Sequence, residues 1–361
     1  MPNFSPNIGR VLGIDVQLHW TFVVLILLGF LASMVYPQLF ILFIAFVLLF
    51  VCVFIHELFH SITAIRNKIR IKKIILLPLG GASVIDNTED ITPETEFRIS
   101  IVGPIASIVL GLIFGIIVIY TPAGAVKQIV QFLFVVNILL GVFNIMPAFP
   151  LDGGRVLRSY LQKKRDIIHA TKTSIKISNI FIVLFLVFTV VYAALANGYS
   201  FVYREFIVFF DIFIALYLYD GAKAELQSVY VKEYASKLKV EAAVSKNFVV
   251  VKPSTTPYDL YKTILKSKTH IVIVKDKNEI KVIPRLTKFS GFKNAGEMSK
   301  TIPVLDRNAP LTKALDVMGN ENVGIVAVTN RKRLVGVVLA QHAESIIGLY
   351  ISKRLAEDAA A

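Results

Sequence analysis

With 361 residues the chain is long enough for two or three domains. A hydrophobic content of 55% and a mean hydropathy of +0.66 exclude an ordinary soluble globule. The net charge of +14 points to anionic lipid headgroups, and nucleic acid is not expected as a partner. Cys52 is the single cysteine, which excludes an intrachain disulfide. Arg10 and Asp15 precede a first apolar block of spanning length, so no cleavable signal peptide is expected.

Six apolar blocks follow in chain order, at residues 18–36, 39–62, 98–121, 127–147, 175–196 and 201–219. Each has spanning or near-spanning length. Lys and Arg concentrate between the second and third blocks, and again between Arg155 and Lys176. The alternate loops hold only Lys127 and Arg204. The positive-inside rule therefore predicts a multi-pass cell-membrane protein with both termini in the cytoplasm.

The second block contains His56-Glu57-Leu58-Phe59-His60, after seventeen uncharged residues from Leu39 to Ile55. On a helix this spacing puts both imidazoles on one face, where they can share one zinc ion. Glu57 between them can act as general base toward a water activated by the metal. Ionisable groups at membrane depth are costly, so such a cluster reads as a functional site. His56 lies ten residues before Arg66, about 15 Å along a helix, which places the metal inside the membrane toward the cytosol.

Next, residues 68–84 read as strands, with β-branched Ile69, Ile71, Ile74, Ile75 and Val84, and with Pro78, Gly80 and Gly81 as breakers. A membrane-associated hairpin here has two readings. It either pairs with an unwound substrate segment or simply shields the site. Gly103 and Pro104 in the third block read as packing and kink residues.

Two histidines do not complete a catalytic zinc site, for which three protein ligands and an open position are usual. The best third ligand is Asp152, just after the fourth block. Pro147 and Pro150 disrupt the helix before it, and Gly153-Gly154 permits a tight turn after it. Asn144, about two helical turns earlier, can hold the scissile carbonyl; a plain helix–helix hydrogen bond is the competing reading. Asp211 in the sixth block is expected to face the bundle, without an assigned role.

These residues carry a resemblance. An HExxH in one span, with Asn144-x-x-Pro147-x-x-x-Leu151-Asp152-Gly153 ninety-two residues past His60, resembles the site-2 protease family of intramembrane metalloproteases. Leu77-Pro78-Leu79-Gly80-Gly81 and Gly103-Pro104-Ile105-Ala106-Ser107 are similar to motifs flanking that family's core. The resemblance implies one zinc per chain held by His56, His60 and Asp152, with Glu57 as catalytic base and Asn144 assisting the substrate. It further implies cleavage of transmembrane helices of membrane-tethered proteins.

Residues 223–239 read as a linker and residues 240–361 as a tail domain, within which residues 240–345 contain an internal repeat. Strand, Pro-led helix, strand and strand recur, with Pro257 aligned to Pro310 and Val272-Ile273-Val274 aligned to Val326-Ala327-Val328. The repeat resembles a tandem pair of cytosolic α/β CBS domains, which implies a regulatory module, a lid or a homodimer contact. Adenosyl nucleotide binding stays open. Gly336-Val337-Val338-Leu339-Ala340-Gln341-His342 lacks the hydroxyl and carboxylate of the family's nucleotide-contacting pattern, and Lys281 to Thr287 is a degenerate version of it.

The expected architecture is thus a six-span helical metalloprotease domain at residues 1–222, with a membrane-associated hairpin and a cytosolic CBS pair. The alternative is a CBS-regulated transporter or channel for a divalent ion. That reading needs polar residues along a whole transmembrane path, whereas here they gather toward one side.

Overall fold

The computed structural model describes residues 5–77, 80–85, 91–195, 201–276, 279–283, 292–321, 323–331 and 333–360. Pro78-Leu79 and the stretch Pro284 to Thr287, singled out above, lie outside the described residues. The chain divides into two compact units, Met1–Gln227 and Ser228–Ala361.

The first unit opens with a hairpin, β1 (Asn7–Val11) and β2 (Ile14–Leu18). Its two-residue turn, Leu12-Gly13, has positive φ at both positions, the backbone that matches the strands' right-handed twist. Helix α1 (Trp20–Val35) and helix α2 (Phe40–Arg66) follow. Then β3 (Ile71–Leu77) and β4 (Gly80–Ile85) pair antiparallel, while β3 runs parallel to β2. The result is one four-stranded sheet in the order β1-β2-β3-β4. The N-terminal half of this sheet was not anticipated. Ile14, Ile74 and Leu76 bury its inner face against Phe54 and Leu58 of α2.

Four long helices complete the unit: α3 (Pro93–Tyr120), α4 (Ala125–Ile145), α6 (Ile167–Leu195) and α7 (Phe201–Lys237), with the short α5 (Asp152–Gln162) before α6. Thr92 caps α3, its hydroxyl accepting from the Thr95 amide, and Pro93 sits at the first helical position. Among the described residues, four segments are long and apolar enough to cross a membrane: Pro37–Arg66, Pro93–Tyr120, Ala125–Ile145 and Ile167–Leu195. They match four of the six expected blocks. The 18–36 block instead begins in β2 and yields a helix of 16 residues, short of the about 20 that a perpendicular span needs. The 201–219 block opens the 37-residue α7, which stays helical through most of the stretch read as a linker.

These helices are inside-out by soluble standards. Ile119, Phe188 and Leu195 are exposed, while Ser100, Ser107, Asn137, Ser174 and Ser178 are buried. Ser100, Gly103, Ser107 and Gly111 are the small buried residues of α3: Gly103 and Ser107 meet the histidines of α2, Gly111 packs on Ile138 of α4, and Gly141 of α4 packs on Pro104 and Ile108. Where the surroundings are apolar, helices associate through such close backbone packing rather than by burying oil. Asp211, which had no role, accepts a hydrogen bond at 2.7 Å from Thr189 on α6.

The second unit contains β5 (Val249–Val251), α8 (Pro257–Ser267), β6 (Val272–Asp276), β7 (Glu279–Val282), α9 (Ala295–Met298) and β8 (Lys300–Thr301). The pattern then repeats as β9 (Val304–Asp306), α10 (Leu311–Glu321), β10 (Ile325–Asn330), β11 (Arg333–Leu339) and α11 (Ala340–Ala360). In each half a parallel pair, β5/β6 or β9/β10, is extended by an antiparallel strand, β7 or β11. Ile273, Val282, Ile302, Ala327 and Val337 form one core shared by both sheets. The repeat read from the sequence is therefore a structural pair packed sheet to sheet.

Candidate metal centre

Helix α2 carries His56 and His60 four residues apart, and both are buried, at 5% and 8% exposure. Each imidazole is oriented by α3. His60 Nδ1 donates to the carbonyl of Ile99 at 2.6 Å, and His56 Nδ1 is 2.9 Å from the Ser107 hydroxyl. A carbonyl can only accept, so the proton of a neutral His60 sits on Nδ1 and its Nε2 presents a lone pair. Gly103, between these two partners on α3, allows the approach. A Cβ there would fall on the Nε2 atoms of both histidines. The packing role read for Gly103 is thus specific to the site.

Asp152 arrives from the other side. Helix α4 ends at Ile145, and a loop through Pro147 and Pro150 leads to Asp152, the first residue of α5. The loop is pinned by the Phe149 amide, which donates to Ser178 of α6 at 2.8 Å. Gly153 and Gly154 do not form the tight turn expected of them. They lie in the first turn of α5, and their missing side chains let it pack on the carbonyls of Ile145, Met146 and Ala148.

The three expected ligands meet. Asp152 Oδ2 lies 3.2 Å from His56 Nε2 and 3.2 Å from His60 Nε2, and the two nitrogens are 3.1 Å apart. Three ligands with metal bonds of about 2.0 Å on a tetrahedron stand about 3.3 Å apart, so the triangle suits zinc. The donor set agrees: two imidazole nitrogens and one carboxylate oxygen, with outer partners that fix ring orientation. Two imidazole nitrogens and a carboxylate oxygen this close together are a set that one divalent cation could bind at once.

Glu57, between the histidines, is half-buried, and its side chain rests on β4. A Cβ on Gly81 would overlap Cγ and Cδ of Glu57. Asn144 is not a member of the triangle. Its amide donates to the carbonyl of Leu140 on its own helix at 2.9 Å, and it makes no hydrogen bond to His56, His60 or Asp152.

Ser107, Ile99 and Arg158 were not picked out for the site from the sequence. Arg158 on α5 is 6% exposed and pairs with Glu96 of α3 and Glu225 of α7. In the sequence it counted only as one of the charges of a basic loop. The signal that could have found it is the opposite charge of Glu96 and Glu225, each within a few residues of an apolar block.

Gly103 gives a direct test of this geometry. Gly103→Ala should lower zinc affinity by at least tenfold, because the new methyl displaces both Nε2 atoms. Zinc competition against a chelator checks it. Wild-type affinity in the variant would mean that α3 does not press on the ligand pair.

A profile of "Peptidase family M50" matches residues 44–123 and 121–189, and one of "CBS domain" matches residues 295–342. A zinc metalloprotease of Methanocaldococcus jannaschii is 31% identical over 267 residues, which is 74% of each chain. Stage IV sporulation protein FB of Bacillus subtilis is 30% identical over 141 residues, covering 39% of this chain and 48% of that one. The solved site-2 protease from Methanocaldococcus jannaschii is 31% identical, covers 62% of this chain and 95% of its own, and superposes with a TM-score of 0.45. The chain therefore belongs to peptidase family M50, the site-2 protease family of zinc metalloproteases, and carries a CBS domain in its second unit.

Proposed function

We propose that the protein is an intramembrane zinc endopeptidase that cleaves transmembrane segments of membrane-tethered proteins. The observation that carries this reading is the convergence of His56, His60 and Asp152 within a helix bundle whose outer surface is apolar. His56, His60 and Asp152 would hold the zinc. Bound zinc supplies Lewis acidity toward the attacking water and the scissile carbonyl.

The remaining chemistry belongs to the chain. Glu57 accepts the proton of the attacking water and passes it to the leaving amine nitrogen. Ile99 and Ser107 hold the imidazoles so that their Nε2 lone pairs face inward. The Asn144 amide, exchanging its bond to Leu140 for one to the substrate, steadies the carbonyl. β4 is an edge strand of the sheet, and its Gly81 touches Glu57. An unwound substrate segment added along that edge would pass beside the catalytic base.

In this reading α1 and the start of α7 join the four long apolar segments to make six spans, with both termini in the cytoplasm. Residues 1–222 are the protease domain, residues 223–239 connect it to the tail, and residues 240–361 form the CBS pair, which gates access or pairs protomers.

The test is cleavage of a designed single-span substrate in proteoliposomes, with the cut mapped by mass spectrometry. The expected cut lies inside the apolar segment, disappears on chelation and returns with zinc. A cut confined to the soluble flanks, or one indifferent to chelation, would overturn the proposal.

A further inference from the structure

Arg158 takes no part in the hydrolytic scheme, yet it is buried and fully engaged. Its Nε and Nη2 hydrogens go to the carboxylate of Glu96, and Nη1 donates to Glu225 Oε1 at 2.5 Å. Its guanidinium carbon lies 5.3 Å from the centre of the Phe149 ring, which is itself fully buried. Desolvating a cation is costly, and only pairing this complete makes the burial tolerable.

What the triad joins gives it meaning. Glu96 lies in the first turn of α3, the helix whose Ile99 carbonyl and Ser107 hydroxyl aim the two histidines. Arg158 lies on α5, the helix that begins with Asp152, and Phe149 belongs to the loop that delivers Asp152. Glu225 lies on α7, which runs unbroken from Phe201 to Lys237. One guanidinium thus ties the helix that orients the histidines to the helix that supplies the carboxylate, and hangs both on α7.

We infer that Arg158 is a positioning residue for the metal centre, with Glu96 and Glu225 as its anchors. The Arg158–Glu96 link sets the distance of Asp152 from the histidine pair. The Glu225 arm makes that distance, and with it zinc affinity, sensitive to the position of α7. Metal bonds tolerate only about 0.2 Å of error, so a small shift of α5 is enough to weaken the site. The inference rests on the reading of His56, His60 and Asp152 as the zinc ligands.

The test uses the full chain in detergent, measuring zinc affinity by chelator competition beside thermal unfolding. Glu225→Gln removes one charge while keeping the Arg158–Glu96 pair. Arg158→Lys keeps the charge but cannot bridge two carboxylates with a planar fork. Arg155→Met changes an exposed arginine of the same helix and serves as control. Expected is a tenfold or greater loss of zinc affinity in Glu225→Gln and Arg158→Lys, read well below their unfolding temperatures, with Arg155→Met like wild type. Wild-type affinity in both variants, even with a lowered Tm, would show that the triad only stabilises the fold. An equal loss in Arg155→Met would trace the effect to basic charge in general and overturn the assignment. Zinc affinity unchanged by His60→Ala would instead remove the metal-site reading on which this one depends.

Discussion

Glu57→Gln should lower peptide cleavage by about 10²–10⁴-fold, the usual contribution of general acid–base catalysis, while zinc content stays as in wild type. The separation is expected because Glu57 lies on α2 between the two histidines but is not part of the ligand triangle. Glutamine preserves the volume that rests against Gly81 and removes only the ability to take a proton. Gly81→Ala is the geometric companion. Its methyl would overlap the stem of Glu57, so cleavage should fall with zinc again retained. Turnover measured beside zinc analysis decides both cases. Full activity in Glu57→Gln would dismiss Glu57 as the base, and loss of zinc would make it a ligand instead.

Asp152→Ala should empty the site. It leaves two imidazoles where three protein ligands are usual, and it removes the anion that offsets the metal's charge. The loss of zinc affinity should exceed the about 10–100-fold cost of losing an outer partner such as Ser107. The fold should survive, because the loop before Asp152 is pinned independently by the Phe149–Ser178 hydrogen bond and the Arg158 triad. Zinc analysis after dialysis against a chelator, together with a melting curve, checks this. Stoichiometric zinc in a folded Asp152→Ala protein would mean that the third ligand lies elsewhere.

The sequence singles out His56, His60 and Asp152, the residues that meet in the structure, because their signals are local. The spacing of His56 and His60 is a helical period, and Asp152 follows two prolines that end a span. Their outer partners were not legible. Ser107 lies 51 residues from His56, and Glu96 and Glu225 lie 62 and 67 residues from Arg158. The Ile99 contact uses a backbone carbonyl, which any residue type would supply. In the first unit, apolar length located the long helices but not their ends. Leu18 belongs to β2 rather than to a span, because Asp15 to Leu18 pair in parallel with Lys73 to Leu76 across the whole of α1 and α2. Asp220, Lys223 and Glu225 make the middle of α7 look like the start of a linker, yet the stretch holds no proline, and its glycine, Gly221, stays within the helix and packs closely on Pro150. In the tail, alternating apolar strands and Pro-led helices announced the repeat, because each half buries its own helix against its own strands.

X-ray absorption at the zinc edge of the purified wild-type protein tests the central claim most directly, since it reads the ligand set without needing a substrate. Two imidazole nitrogens and a carboxylate oxygen at about 2.0–2.1 Å are predicted, with no sulfur contribution. A sulfur ligand, pointing to Cys52 one turn before His56, or the absence of zinc from a folded protein, would contradict it.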